Sequence, residues 1–218
     1  MPVDPNAPIE VTAYKAVPDF ARGHIKDVRI RWALEEIGMP YATRLIGGIF
    51  EEKQQGYAED QPFGQVPVYK EDGITLFESG SILIHIGEKH EHLLPRDAEG
   101  RGRAISWLIA ALNSVEPSLQ TMIVVDVFGN GQDWHDGARE AALPFAQKQI
   151  EAVSRWLGDK EWLENRFTIG DLVMIHVLRE ADDLIEPHPN LVAYVERGAS
   201  RAAFKAAMDA HLKDCAVE

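Results

Sequence analysis

Gln61-Pro62-Phe63-Gly64-Gln65-Val66-Pro67-Val68-Tyr69-Lys70-Glu71-Asp72-Gly73-Ile74-Thr75-Leu76-Phe77-Glu78-Ser79-Gly80-Ser81-Ile82 lays down three elements in succession. Val66 to Tyr69 and Ile74 to Phe77 are short strand-forming runs, joined by Lys70-Glu71-Asp72-Gly73. Asp-Gly at the end of so short a connection predicts a tight hairpin. Ser79 then stands where a helix needs an N-cap, ahead of apolar Ile82, Leu83 and Ile86.

Upstream of this hairpin the signals alternate. Met1 to Ala7 is proline-rich and reads as an arm, and Ile9 to Tyr14 alternates apolar and polar residues as a strand does. Lys15 to about Gly23 is a loop. Ile30, Ala33, Leu34 and Ile37 then recur at helical spacing, and Gly38 and Pro40 supply the stop. Tyr41 to Ile46 is a second strand, Gly47-Gly48 breaks it, and Phe50 to Ala58 reads as a short polar helix or turn. Strand, helix, strand, short helix, hairpin and helix in that order pack as a mixed four-stranded sheet with helices on its faces.

Downstream every signal is helical. His90 to Gly102 is a break in composition. Ile105, Leu108, Ile109 and Leu112 follow at helical spacing, with Pro117 expected to kink or end that helix. Gly129-Asn130-Gly131-Gln132-Asp133 separates it from a long stripe ending at Gly158. Thr168 to Leu178 has almost no polar face and so predicts a helix buried all round, with Thr168 as N-cap, Asp171 completing a capping box and Phe167 stapled to Leu172. Short helices near 191–197 and 201–212 close the chain. The expected division is an α/β domain over 1–89 and an all-α domain over 101–218.

Composition narrows the function. Of 218 residues, 45% are apolar and 26% charged, with 22 Lys and Arg against 35 Asp and Glu and a net charge of −13. No run of three basic residues interrupts that acidity, so neither a nucleic-acid backbone nor an anionic membrane is an expected partner. No apolar run approaches about 18 residues and the start lacks a leader pattern, which predicts a cytoplasmic protein. The one cysteine, Cys215, excludes an intrachain disulfide, and as a tail residue it is a poor nucleophile candidate. His90-Glu91-His92 has no third ligand at a useful spacing, so no metal is expected. His176 is expected as a core histidine.

Four segments, in order, resemble the glutathione S-transferase family. They are Leu34-Glu35-Glu36-Ile37-Gly38-Met39-Pro40-Tyr41, Gln61-Pro62-Phe63-Gly64-Gln65-Val66-Pro67-Val68, Leu76-Phe77-Glu78-Ser79-Gly80-Ser81-Ile82 and Phe167-Thr168-Ile169-Gly170-Asp171. The resemblance covers about residues 9 to 212. It implies a thioredoxin-like first domain that binds glutathione and an all-α second domain that contributes an electrophile pocket, with Trp107, Asn113 and Met122 among its candidates. It also implies a homodimer, a cis Val66–Pro67 bond, and glutathione as co-substrate whose thiol is activated to attack a small electrophile.

The implied binding residues have a chemical logic of their own. Ser79 at a helix N-terminus offers a hydroxyl and backbone N–H groups to the γ-glutamyl carboxylate, and Glu78 a charge to its ammonium. Val66 offers its backbone to the cysteinyl unit as an added strand. Lys53 and Gln65 fall where the family places polar contacts to the two ends of the peptide.

The family's thiol-activating Tyr, Ser or Cys has no counterpart in Ala16-Val17-Pro18-Asp19-Phe20-Ala21-Arg22-Gly23-His24-Ile25-Lys26. Without Ser and Cys in this loop, the maleylacetoacetate isomerase branch is not expected. Arg22 as a fixed positive charge, Tyr14 at the end of the strand, protonated His24 and the backbone amides opening the helix are the candidates, with Arg22 plus amides preferred. Two other functions fit a lost hydroxyl: a carrier of glutathione or hydrophobic ligands with little transferase activity, and a glutathione-dependent disulfide reductase.

Overall fold

The computed structural model describes residues 2–49, 51 and 55–217, with 216 and 217 as backbone only. The chain divides into two compact units, residues 1–94 with 199–218, and residues 95–198.

In the first unit β1 (Ile9–Tyr14) leads through β2 (Ala16–Val17) and a single 3-10 turn at Asp19–Ala21 into α1 (Asp27–Ile37). Then come β3 (Tyr41–Ile46), α2 (Tyr57–Asp60), β4 (Val68–Glu71), β5 (Ile74–Phe77) and α3 (Ser79–Lys89). The sheet runs β3-β1-β4-β5, with β3 parallel to β1 and the other pairs antiparallel, as the alternation of signals predicts. Asp72 and Gly73 both take positive φ, 47° and 80°, giving the hairpin a two-residue primed turn. Gly38 ends α1 at φ 68°, where Met39 N–H returns to the Leu34 carbonyl at 3.0 Å.

The second unit is helical: α4 (Ala98–Ala110), α5 (Glu116–Gly129), α6 (His135–Leu157), α7 (Ile169–Leu178), α8 (Asp182–Ile185) and α9 (Pro189–Ala199). Pro117 does not end its helix. A π-helical turn at 111–115 precedes it, so α4 and α5 form one helix over 98–129, with Pro117 at the second position of α5 directly after that turn. By length and composition that continuous helix could cross a membrane, a test that core helices of water-soluble proteins also pass. Its faces pack on α6 and α7.

α7 is buried at every position. Its capping box is formed as predicted: Thr168 Oγ1 accepts from Gly170 N–H, and Thr168 N–H donates to Asp171 Oδ2 at 2.9 Å. Gly170 is required for close approach, since a Cβ there would lie 2.6 Å from Trp107 Cβ.

The last helix, α10 (Ala202–Asp214), and the short β6 (Ala216–Val217) belong with the first unit, whereas the expected boundary put them in the second. The reason is a set of specific bonds to α1. Phe204 meets Trp32 edge-on at 4.8 Å between ring centres. Arg201 forks onto Glu36 at 2.5 and 2.7 Å. β6 pairs in parallel with β2. Cys215 is accordingly no loose tail residue but is buried beside Tyr14, Tyr57 and Val66.

Candidate functional site

The sheet register gathers the family-matched residues of the first unit at one edge. Val11 of β1 pairs with Tyr69 of β4, so Tyr14 and the start of β4 lie at the same end. Val68 pairs with Phe77, so Glu78 and Ser79 emerge beside Pro67. The loop from β1 to α1 leaves from that end too.

Val66–Pro67 is cis, as the resemblance implies. A directional chain of hydrogen bonds fixes the backbone around it. Val68 N–H donates to Thr12 Oγ1 at 2.7 Å, Thr12 to Tyr57 Oη at 3.1 Å, and Tyr57 to the Gln65 carbonyl at 2.6 Å. Tyr57 can donate only one proton, and the Gln65 carbonyl takes it, so the hydroxyl of Thr12 must be the donor in the middle step. The Gln65 side chain stays exposed. Tyr57 and Thr12 thus support the strand start; Tyr57 stood inside an apparently polar turn, and nothing in its spacing marked it.

Ser79 is the first residue of α3, not its cap. Glu78 holds the N-cap position with φ 66° and ψ 116°, and neither side chain caps the helix. The buried Ser79 hydroxyl instead accepts from Arg29 Nη1 at 3.3 Å, while Glu78 is exposed. A non-glycine residue at positive φ costs on the order of 1–3 kcal/mol and is found where surrounding structure imposes it. Arg29, fully buried in α1, places a cation under this helix start.

Tyr14 packs in the same core cluster as Val66. Burial pushes its phenol up to about 12, helped by Tyr57 and Asp27 and opposed by a hydrogen bond with the Val66 backbone. It is therefore a hydroxyl, not a phenolate, at any working pH. Arg22 is half-buried, and its Nη2 donates to the Leu212 carbonyl at 3.0 Å, capping the last turn of α10. His24 is half-buried beside it. Lys53 lies outside the described residues.

Beneath the loop is a buried polar group that the apolar stripe of α1 concealed. Asp27, Arg31 and His211 are all essentially inaccessible. Arg31 Nε meets Asp27 Oδ2 at 2.8 Å and its Nη1 meets Asp214 at 2.9 Å. Burial opposes Asp27's charge, but His211 and Arg31 overcome it and hold the carboxyl below its usual range. Asp27 and Arg31 stand at i, i+4 on α1, but their partners on α10 are far away in sequence.

In the second unit Trp107 donates Nε1–H to Glu164 at 2.7 Å and Met122 is buried core, leaving Asn113 the exposed member of that expected trio. Among the described residues no group of three His, Cys, Asp or Glu side chains is placed to hold a metal. His90 and His92 stack on each other at 4.8 Å, and His176 is buried in α7.

Residues 20–88 match the family model for the glutathione S-transferase N-terminal domain. The chain is 26% identical to glutathione S-transferase F10 of Arabidopsis thaliana over 71% of its own length and 78% of that protein's. It is 27% identical to probable maleylacetoacetate isomerase 2 of Drosophila melanogaster over 88% and 86%. The fold is similar to a glutathione transferase of Burkholderia graminis solved with two glutathione molecules bound per subunit: TM-score 0.78, 23% identity, 92% of this chain and 87% of that one. With the sheet order, the cis-proline strand and the buried capping box in place, residues 20–88 match a glutathione S-transferase N-terminal domain, and the chain over most of its length is similar to members of that family.

Proposed function

We propose that this chain binds glutathione at the sheet edge of its first unit and activates the thiol for attack on a small electrophile. One observation carries the reading: the cis Val66–Pro67 strand start and the Glu78–Ser79 helix start emerge side by side. A peptide laid along Val66 would then reach the positive end of α3 with its γ-glutamyl carboxylate, Ser79 supplying a hydroxyl and Glu78 a counter-charge to the ammonium. Gln65 and Lys53 serve as polar contacts beside it. The helical unit is assigned the electrophile pocket, and the protein a cytoplasmic location.

A free thiol near 8.5 needs about 2 units of lowering to be mostly thiolate at pH 7, roughly 2.7 kcal/mol of preferential stabilisation. The positive end of the α1 dipole supplies part of it. Arg22 supplies a fixed charge and Tyr14 a neutral hydroxyl able to donate. Arg22→Ala is expected to raise the pKa of bound glutathione by about 0.5–1 unit, the worth of a charge-assisted contact in part-buried surroundings. Titration of thiolate absorbance checks it. A lowered melting temperature with an unchanged thiol pKa would reduce Arg22 to the α10 cap it visibly is.

A second reading, glutathione-dependent disulfide reduction, draws on the missing hydroxyl and thiol in the first loop. The relative from Burkholderia graminis, with its two bound glutathione molecules, is compatible with it. Turnover of an aryl halide against turnover of a mixed disulfide separates the two.

A further inference from the structure

The first loop is tied to the C-terminal segment at three points, all within the first unit. β2 pairs with β6, Arg22 Nη2 donates to the Leu212 carbonyl at 3.0 Å, and Gly23 N–H donates to His211 Nε2 at 3.2 Å. The third tie is the most informative, because it assigns the imidazole. A ring nitrogen that accepts an amide proton carries none of its own, so His211 is neutral there, and its proton sits on Nδ1, directed at Asp27 Oδ2 3.1 Å away. Gly23 is held to this role from its own side. Its φ is 85°, and a Cβ would come within 3.3 Å of Met208 Sδ on α10.

We propose that His211 is a positioning residue for thiol activation: oriented by Asp27, it holds the Gly23 amide and thereby the turn that sets where the positive end of α1 lies. This rests on the glutathione reading above. In a loop without a catalytic hydroxyl or thiol, the position of the backbone itself becomes the catalytic variable, and His211 holds it at Gly23. Asp27 faces the His211 ring directly; Arg31 pairs with Asp27 and Asp214 with Arg31, Arg22 bonds the carbonyl of the neighbouring Leu212, and the Tyr14 phenol senses Asp27. Protonation of Nε2 would set an N–H against the Gly23 N–H and break the tie.

Two neutral replacements separate the two ring nitrogens. Asn reproduces the Nδ1 donor toward Asp27 but has nothing at the Nε2 position; Gln reproduces an acceptor there. In the full-length protein, His211→Asn is expected to lose hydrogen-exchange protection at the Gly23 amide by about tenfold and to raise the pKa of bound glutathione by about 0.5–1 unit, the shift that one neutral hydrogen bond is worth. His211→Gln is expected to restore both readouts. Equal behaviour of the two variants, or unchanged Gly23 exchange in His211→Asn, overturns the proposal. Wild-type protein that shows no calorimetric binding of glutathione overturns the underlying glutathione reading. Wild-type binding with an unshifted thiol in His211→Asn removes only the role of His211.

Discussion

Ser79 receives a hydrogen bond from Arg29, so its own proton is free to be donated outward. That arrangement changes what its removal costs. A helix cap replaced by alanine loses about 0.5–2 kcal/mol, but Ser79 caps nothing, and Ser79→Ala takes an acceptor from a buried guanidinium, about 1–3 kcal/mol. Glutathione affinity is expected to fall separately by about ten- to a hundred-fold, since a hydrogen bond to a charged group is worth roughly 1.5–3 kcal/mol. Glu78→Gln should weaken binding through the ammonium, and the two losses should not add, because both residues hold one end of one ligand. Calorimetry on the two singles and the double measures this. Undiminished affinity in Ser79→Ala would leave the serine as a partner of Arg29 only. The helix start at Glu78 and Ser79 was legible because it is written in adjacent residues, whereas the cis Val66–Pro67 bond was implied only by the family resemblance. Arg29, Asp27, Arg31 and His211 were not legible, because a charged residue earns a place in a core through partners that only the fold brings near.

Elements whose ends are coded locally came through as read, and α7 shows both why and with what consequence. Thr168 and Asp171 close its first turn with bonds spanning three residues, so the start was visible in sequence. What was not visible is that Asp171 also accepts from Leu163 N–H at 2.8 Å and Tyr194 Oη–H at 2.9 Å, which buries it. Burial pushes its carboxyl up to about 6 against those bonds, from an ordinary value of 3.8. The folded value is the higher one, so the native state holds the proton longer. Asp171 then contributes stability that is full below about pH 4 and lost as pH rises through about 6, on the order of 3 kcal/mol. Asp171→Asn should be less stable at every pH but lack that component of the slope, as urea unfolding between pH 4 and 7 would show. An identical slope in the variant would mean that the carboxylate is charged in the fold throughout. Pro117 marks the opposite limit of local reading. A π-helical turn absorbed it, and no residue type announces such a turn.

For the whole molecule the expected assembly is a homodimer, and the surface supplies a reason and a test. Each unit exposes large apolar side chains on its own account: Phe63, Ile74 and Phe77 in the first, and Ile109, Val124, Phe128 and Phe145 in the second. Phe63 and Phe145 are each 68% exposed, and Phe63 meets Phe77 edge-on at 6.3 Å between ring centres, so there is apolar surface here that gains from being covered. A second copy of the chain is the partner the family reading supplies. Each copy carries a formal charge of −13, so association must overcome long-range repulsion before apolar contact is made. Salt screens that repulsion over about 10 Å at 0.1 M ionic strength and leaves apolar burial intact or strengthens it. The dimer should therefore tighten as salt is raised, the reverse of an interface held by ion pairs. Sedimentation velocity at micromolar concentration is expected to show a species of twice the 24.3 kDa chain, with a dissociation constant that falls several-fold on going from low salt to physiological ionic strength. A 24.3 kDa species at all salt concentrations would remove the homodimer. A dimer that weakens with salt would keep the assembly but move its driving force from the exposed phenylalanines to opposite charges set against each other across the interface.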